Sequence, residues 1–249
     1  MMPSGYYAEM TAFTTYNETA LHAALKQVVA EPGARFEVEV SGYVVDVVQA
    51  NGLLVEVQTG NFTAIRAKLG TLVRDHPLRL VYPIPARKWI IRRQADTLEP
   101  ISRRRSPQKG SLCHLFYELV RIPRLLEQPN FTLEVVLTEE EEYRSFGQTR
   151  RRRRWRWLAD ERRLVRVVER HLFTGPADLA ALLPSSLPDT FDTADLAAGL
   201  QVPRRLAQKM VYCLRELSCL EIAGKAGNTL LYRRFSPELP SLRPGSCRR

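Results

Sequence analysis

Between Phe36 and Val57 three short apolar runs follow one another, Phe36-Glu37-Val38-Glu39-Val40, Tyr43 to Val48 and Leu53 to Val57. Only Ser41-Gly42 and Ala50-Asn51-Gly52 part them, so the pattern predicts three strands joined by tight turns. Two carboxylates interrupt the apolar runs, Asp46 in the second and Glu56 in the third. A carboxylate in the middle of a buried strand is costly unless it is paired or bound to a cation.

Whether the two acids share a cation depends on the turn. A two-residue Asn51-Gly52 turn pairs Ala50 with Leu53 and throws the carboxylates to opposite faces. A three-residue loop with Gly52 left-handed pairs Gln49 with Leu53 and sets Asp46 opposite Glu56. The second register is preferred, because one Mg²⁺ could then satisfy both acids, and Gln58 follows on the same face. Upstream, Asn17 is a candidate N-cap for a helix from about Glu18 to Ala30, whose stripe of Glu18, Leu21, Leu25 and Val28 leans Glu18 toward the sheet. Glu18 alone would be read as complementing the positive helix N-terminus; beside Asp46 and Glu56 it reads as a third acid of a metal site.

Downstream, Thr63 to Arg74 reads as a basic amphipathic helix, Leu78 to Ile84 and Trp89 to Arg92 as strands, Leu112 to Leu126 as a helix and Phe131 to Leu137 as a strand. The fold class is therefore α/β. The order of elements with Asp46, then Glu56-Val57-Gln58, resembles the PD-(D/E)XK nuclease superfamily, whose αβββαβ restriction-endonuclease-like core carries Asp and then Glu-x-Lys. The likeness covers about Asn17 to Ile84. It implies metal-dependent hydrolysis of phosphodiester bonds, with Asp46, Glu56 and the Val57 carbonyl holding Mg²⁺ or Mn²⁺ and Glu18 as accessory acid. Gln58 stands where the lysine usually does; it could orient a water but not act as acid or base. Arg66 or Lys68 in the next helix would be the replacement cation. The whole chain also resembles a prokaryotic protein family, a likeness that implies no activity.

The C-terminal half predicts a helix over Leu158 to Phe173, a short helix over Ala177 to Leu183, and a helix over Thr193 to Leu200 capped by Asp192. After the turn Gln201-Val202, Pro203 opens a longer helix to about Leu217. Leu220 to Ile222 and Thr229 to Arg233 flank a basic turn. This resembles a winged-helix domain, which implies DNA binding. Leu206, Met210, Cys213, Leu214 and Leu217 form its core stripe, leaving Arg204, Arg205, Gln208, Lys209 and Tyr212 outward. Arg205 and Gln208 would read base edges, and Lys209 and Lys225 would meet phosphates. Winged helices also serve as protein-binding modules.

Charge fits a polyanion: the chain of 249 residues has a formal charge of +10. The excess lies in Arg87 to Gly110, Arg150 to Arg170 and Gln201 to Phe235, while residues 1–86 are slightly acidic. No apolar run suits a membrane span, no secretory signal opens the chain, and its 4 cysteines lack a C-x-x-C pair, so a reducing cytoplasm is expected. His22, His76, His114 and His171 show no ligand spacing.

The expected organisation is a nuclease-like domain over 1–142, a basic linker over 143–157, a winged helix over 158–235 and a flexible tail over 236–249. The acidic stretch Glu139 to Glu142 reads as the approach to the linker. The expected function is metal-dependent cleavage of nucleic acid, DNA above all, by a possible homodimer. The alternatives are a catalytically inactive DNA-binding regulator with Gln58 as the trace of the loss, and an adaptor that binds protein.

Overall fold

The computed structural model describes residues 18–148 and 155–235. Helix α1 spans Ala20–Val29, two residues shorter at its start than expected. Thr19 caps it, its hydroxyl accepting the His22 N–H at 3.3 Å, whereas the expected cap Asn17 lies outside the described residues. The three apolar runs form β1 (Arg35–Val40), β2 (Tyr43–Val48) and β3 (Leu54–Val57), followed by α2 (Phe62–Leu72).

Next come β4 (Leu78–Arg93) and β5 (Pro100–Arg105). The two short strands expected after α2 are thus one long strand. Pro83 and Pro85 donate no ladder hydrogen bond, and a register shift between Pro85 and Arg87 lets the strand continue past them. The helix expected over Leu112 to Leu126 is instead a 3₁₀ turn at Leu112–Leu115, the single turn α3 (Phe116–Leu119) and a second 3₁₀ turn, Pro123–Glu127. Pro123 cannot continue a helix, which accounts for the break.

The largest departure lies beyond. Strand β6 runs over Phe131–Gln148 and β7 over Trp155–Phe173, paired antiparallel along their length. No linker occupies the described part of 143–157, and Leu158 to Phe173 is strand, not helix. Glu134, Glu139, Glu140 and Glu142 of β6 are buried, and each meets at least one cation from a flanking strand. Glu140 is 0% exposed and takes the Arg162 guanidinium at 2.7 Å. Glu139 sits between Arg166 at 2.8 Å and Arg87 at 3.1 Å, and Glu142 meets Lys88 at 2.7 Å. Much of the basic charge seen in the sequence is therefore spent inside the sheet on β6, because buried glutamates are tolerated only when so paired.

The sheet has seven strands in the order β1-β2-β3-β4-β6-β7, with β5 beside the outer half of β4. Strands β3, β4 and β6 are mutually parallel. Leu21, Leu25 and Val29 of α1 pack with Val47, Val55, Val57, Val81 and Val136. A second and larger core joins α2, α3 and the C-terminal helices in one continuous cluster, from Phe62 and Leu69 through Phe116 and Leu119 to Leu206, Met210 and Leu214.

The C-terminal unit holds α4 (Pro176–Ala180), α5 (Thr193–Leu200), α6 (Arg204–Glu216) and the hairpin β8 (Leu220–Ala226) with β9 (Thr229–Arg234). Asp192 caps α5 by accepting the N–H groups of Ala194 and Asp195, as its position predicts. Pro203 is the N-cap of α6, so the helix begins one residue later than expected. Leu206, Met210, Cys213, Leu214 and Leu217 are buried as expected. Phe191 pairs with Tyr232, adding a one-residue third strand beside the hairpin. Among the described residues no helix is long and apolar enough to cross a membrane.

Candidate functional site

The turn between β2 and β3 is the three-residue one. Gln49 N–H donates to Leu53 O at 2.9 Å, Gly52 N–H to Gln49 O at 2.9 Å, and Gly52 has φ +86°, open to glycine at no steric cost. Val48 therefore faces Leu54, and Val47 faces Val55. The buried Gln49 amide ties this turn to the end of α1, donating to Val29 O at 2.8 Å and accepting the Glu31 N–H at 3.0 Å.

Past Val47 and Val55 the ladder opens, and the Asp46 carboxylate fills the fork, its Oδ2 accepting the Val57 N–H at 2.8 Å. Glu56, 3% exposed, is the neighbour expected in this register; its Oε1 lies 3.4 Å from the Asp46 backbone nitrogen. Two cations reach the fork from different helices. Lys68 of α2 puts Nζ at 2.6 Å from Glu56 Oε1 and at 2.6 Å from Val44 O. His22 of α1 places Nε2 at 2.8 Å from Val57 O and 3.2 Å from Asp46 Oδ2, with Nδ1 at 2.8 Å from Glu18 Oε1.

Glu18 reaches the fork only through His22, on the ring nitrogen turned away from Asp46. It also meets the buried Lys26 at 2.9 Å, which Glu37 shares at 2.9 Å. Gln58 does not join them: its amide donates to Gly60 O and, at 3.2 Å, to Asn61 O, bracing the turn into α2. The cation expected at that place comes from Lys68, and Arg66 lies instead on the groove described below. His22 was missed because its ligand-like partners are distant in sequence; its place one helical turn after Glu18, on the sheet-facing side, was the available signal.

The charges are strongly coupled. Burial and then the Asp46 charge push the Glu56 carboxyl up to about 7, although Lys68 opposes this. Burial alone would raise Asp46, but the hydrogen bonds from His22 and the Val57 N–H hold it below the usual carboxylate range. Burial would lower His22, yet Asp46 and then Glu18 outweigh it and raise the ring to about 9. Both ring nitrogens face acceptors, so the ring is an imidazolium at neutral pH.

Among the described residues no group of three or more His, Cys, Asp or Glu side chains is arranged to hold a metal ion. Asp46 Oδ2 and the Val57 carbonyl share His22 Nε2 as a neighbour, and Glu56 stands on the adjacent strand against Lys68; all three offer the hard oxygens that Mg²⁺ and Mn²⁺ take.

The outward face of α6 forms a second polar region. Arg205, Gln208, Lys209 and Tyr212 line a cavity of about 410 Å³ together with Val120 and Arg121. A neighbouring cavity of about 490 Å³ brings in Arg66, Arg124 and Glu216, where Arg124 meets Glu216 at 3.2 Å. Arg204 is exposed and reaches Thr193, and Lys225 is exposed beside the Gly227-Asn228 turn.

Residues 19–174 match the family described as "Domain of unknown function (DUF8091)", and the chain belongs to that family. The match ends one residue past β7, so the family unit is α1 to α3 with the whole seven-stranded sheet. The chain is similar to an "Uncharacterized protein" of Treponema pallidum (strain Nichols), 34% identical over 224 residues that cover 90% of this chain and 88% of that protein. No solved structure matches the chain.

Proposed function

We propose that the chain hydrolyses phosphodiester bonds in nucleic acid, with Mg²⁺ or Mn²⁺ held by Asp46, Glu56 and the Val57 carbonyl, and that its C-terminal unit is a winged helix that binds DNA. One observation carries the reading: where β2 and β3 part, the Asp46 carboxylate takes the Val57 N–H and Glu56 stands beside it on the next strand, and burial and then the Asp46 charge push the Glu56 carboxyl up to about 7. When bound, the metal would acidify a water and neutralise charge on the phosphate. Lys68 would hold an ammonium beside Glu56 for the scissile phosphate, the task that Gln58 leaves vacant. Glu18 orients His22 by its Nδ1–H, so Nε2 is the nitrogen offered to the site. For metal to reach Val57 O and Asp46, the imidazolium must withdraw or lose its proton.

The winged-helix reading rests on the α5-turn-α6 unit followed by a hairpin, with Phe191 adding a short third strand. Arg205, Gln208 and Lys209 would face DNA, joined by Arg121 across the groove.

A second reading is favoured by His22 and Lys68 themselves, because two cations already offset the acids without metal. In that reading the chain binds DNA and does not cut it. Incubation of wild type and Asp46→Ala with Mg²⁺ or Mn²⁺ on plasmid, linear, branched and single-stranded substrates separates the two. Cleavage by wild type that Asp46→Ala abolishes supports catalysis; equal background with DNA binding intact leaves the binding protein.

A further inference from the structure

We infer that the far end of the β4-β6-β7 arm is a stacking platform for unpaired bases of a single-stranded nucleic acid, separate from both the acid fork and α6. Phe146 and Trp157 are cross-strand partners, and Trp155, two residues before Trp157, lies on the same face. Trp155 is 63% exposed and Phe146 47% exposed. Their rings stack at 5.7 Å between centroids and 24° between planes, and Trp157 meets Phe146 edge-on at 5.6 Å. The Arg92 guanidinium lies 4.9 Å from the Trp157 ring centre, closing the row on its β4 side.

Large aromatic rings left in water on a strand end need a reason, since neighbouring positions of these strands carry charge. A stacked pair of exposed rings with a guanidinium on the neighbouring Trp157 suits a nucleotide, which has a flat base to stack and a phosphate to neutralise. Deeper in the arm Lys88, Arg162 and Arg166 are matched by β6 glutamates, whereas Arg92 forms no ion pair with a described residue. A duplex presents no unstacked base to these rings. Val81 neighbours Val57 at the fork, and Arg92 follows it on the same strand by roughly 36 Å. A strand held here and at the fork would therefore be tethered at two distant points.

The test uses the full chain in EDTA and fluorescein-labelled oligo(dT) of about 20 nucleotides, read by anisotropy beside a duplex of equal length. Trp155→Ala should weaken oligo(dT) binding about tenfold and duplex binding less than about threefold, while Trp155→Phe stays within about threefold of wild type. EDTA removes any divalent metal and anisotropy reads binding alone, which keeps this result apart from the fate of the nuclease reading. The inference is overturned if Trp155→Ala binds oligo(dT) like wild type, if strand and duplex weaken equally, or if the variant instead loses only its adsorption to phosphatidylglycerol vesicles.

Discussion

His22 Nε2 lies 2.8 Å from the Val57 carbonyl oxygen, so an imidazolium from α1 closes the fork between β2 and β3 on the side of that carbonyl. The same ring touches Asp46 and Glu18, which makes one proton on His22 the hinge of the whole charge network.

Stability should therefore fall as pH rises. The Glu56 carboxyl has its folded pKa above the ordinary value of 4.5, at about 7, so folding binds a proton between those limits. His22 is raised from 6.5 to about 9, and its contribution is fully present below about 6.5 and gone above about 9. Both groups act in the same direction, over successive windows. After discounting for solvent at the half-exposed ring, the His22 part is about 1 to 2 kcal/mol. Thermal melts at pH 6 and pH 9 should differ by several degrees, and His22→Gln should flatten the upper window.

Lys68→Met removes the ammonium beside a nearly buried carboxylate. A loss of about 1 to 3 kcal/mol is expected at pH 8, and little at pH 5, where Glu56 carries a proton. Adding Glu56→Gln should recover most of the loss. Urea melts of the two variants at both pH values check this.

Mg²⁺ and the His22 proton compete for Asp46 and the Val57 carbonyl. Calorimetric titration should show Mn²⁺ or Mg²⁺ binding that strengthens from pH 6.5 to pH 9 and releases protons. His22→Ala should shift that dependence toward lower pH. Metal affinity that is independent of pH in wild type would sink the assignment of the fork as the metal site.

Arg205→Ala and Lys209→Ala should each weaken duplex DNA binding and lower the log-log salt slope by about one for each phosphate no longer neutralised. Arg121→Ala, from the facing turn, should do the same, because all three line one groove. An unchanged slope would move this surface into the protein-binding class.

The register of β2 and β3 was legible because the cost of two buried carboxylates discriminates between turns that otherwise look alike. Asp192 and the stripe from Leu206 to Leu217 were legible too, being local signals of cap and periodicity. Strand β7 was not. Its pairing with β6 slips at Leu137/Thr138, Glu139/Glu140 and Tyr143/Arg144, and each slip shifts the alternation of faces. Leu164, Val167, Val168 and Leu172 consequently fall at helix-like intervals. The partners that make a charged strand feasible, the glutamates of β6, stand some twenty residues away in sequence, as for Arg162 and Glu140. His22 escaped notice as a site residue, and Lys68 stood level with Arg66, for a related reason: each acts across the sheet from a helix whose own pattern shows only its apolar side.

The family match stops at Thr174, but the apolar cluster does not. Phe116 and Leu119 are wholly excluded from water, and α3 packs on α6 from beyond that boundary. A fragment ending at Thr174 would trade this packing for an oily surface and would be prone to self-association. Cutting the chain is thus a poor way to assign its activities, and substitutions at single surface positions are the sounder instrument.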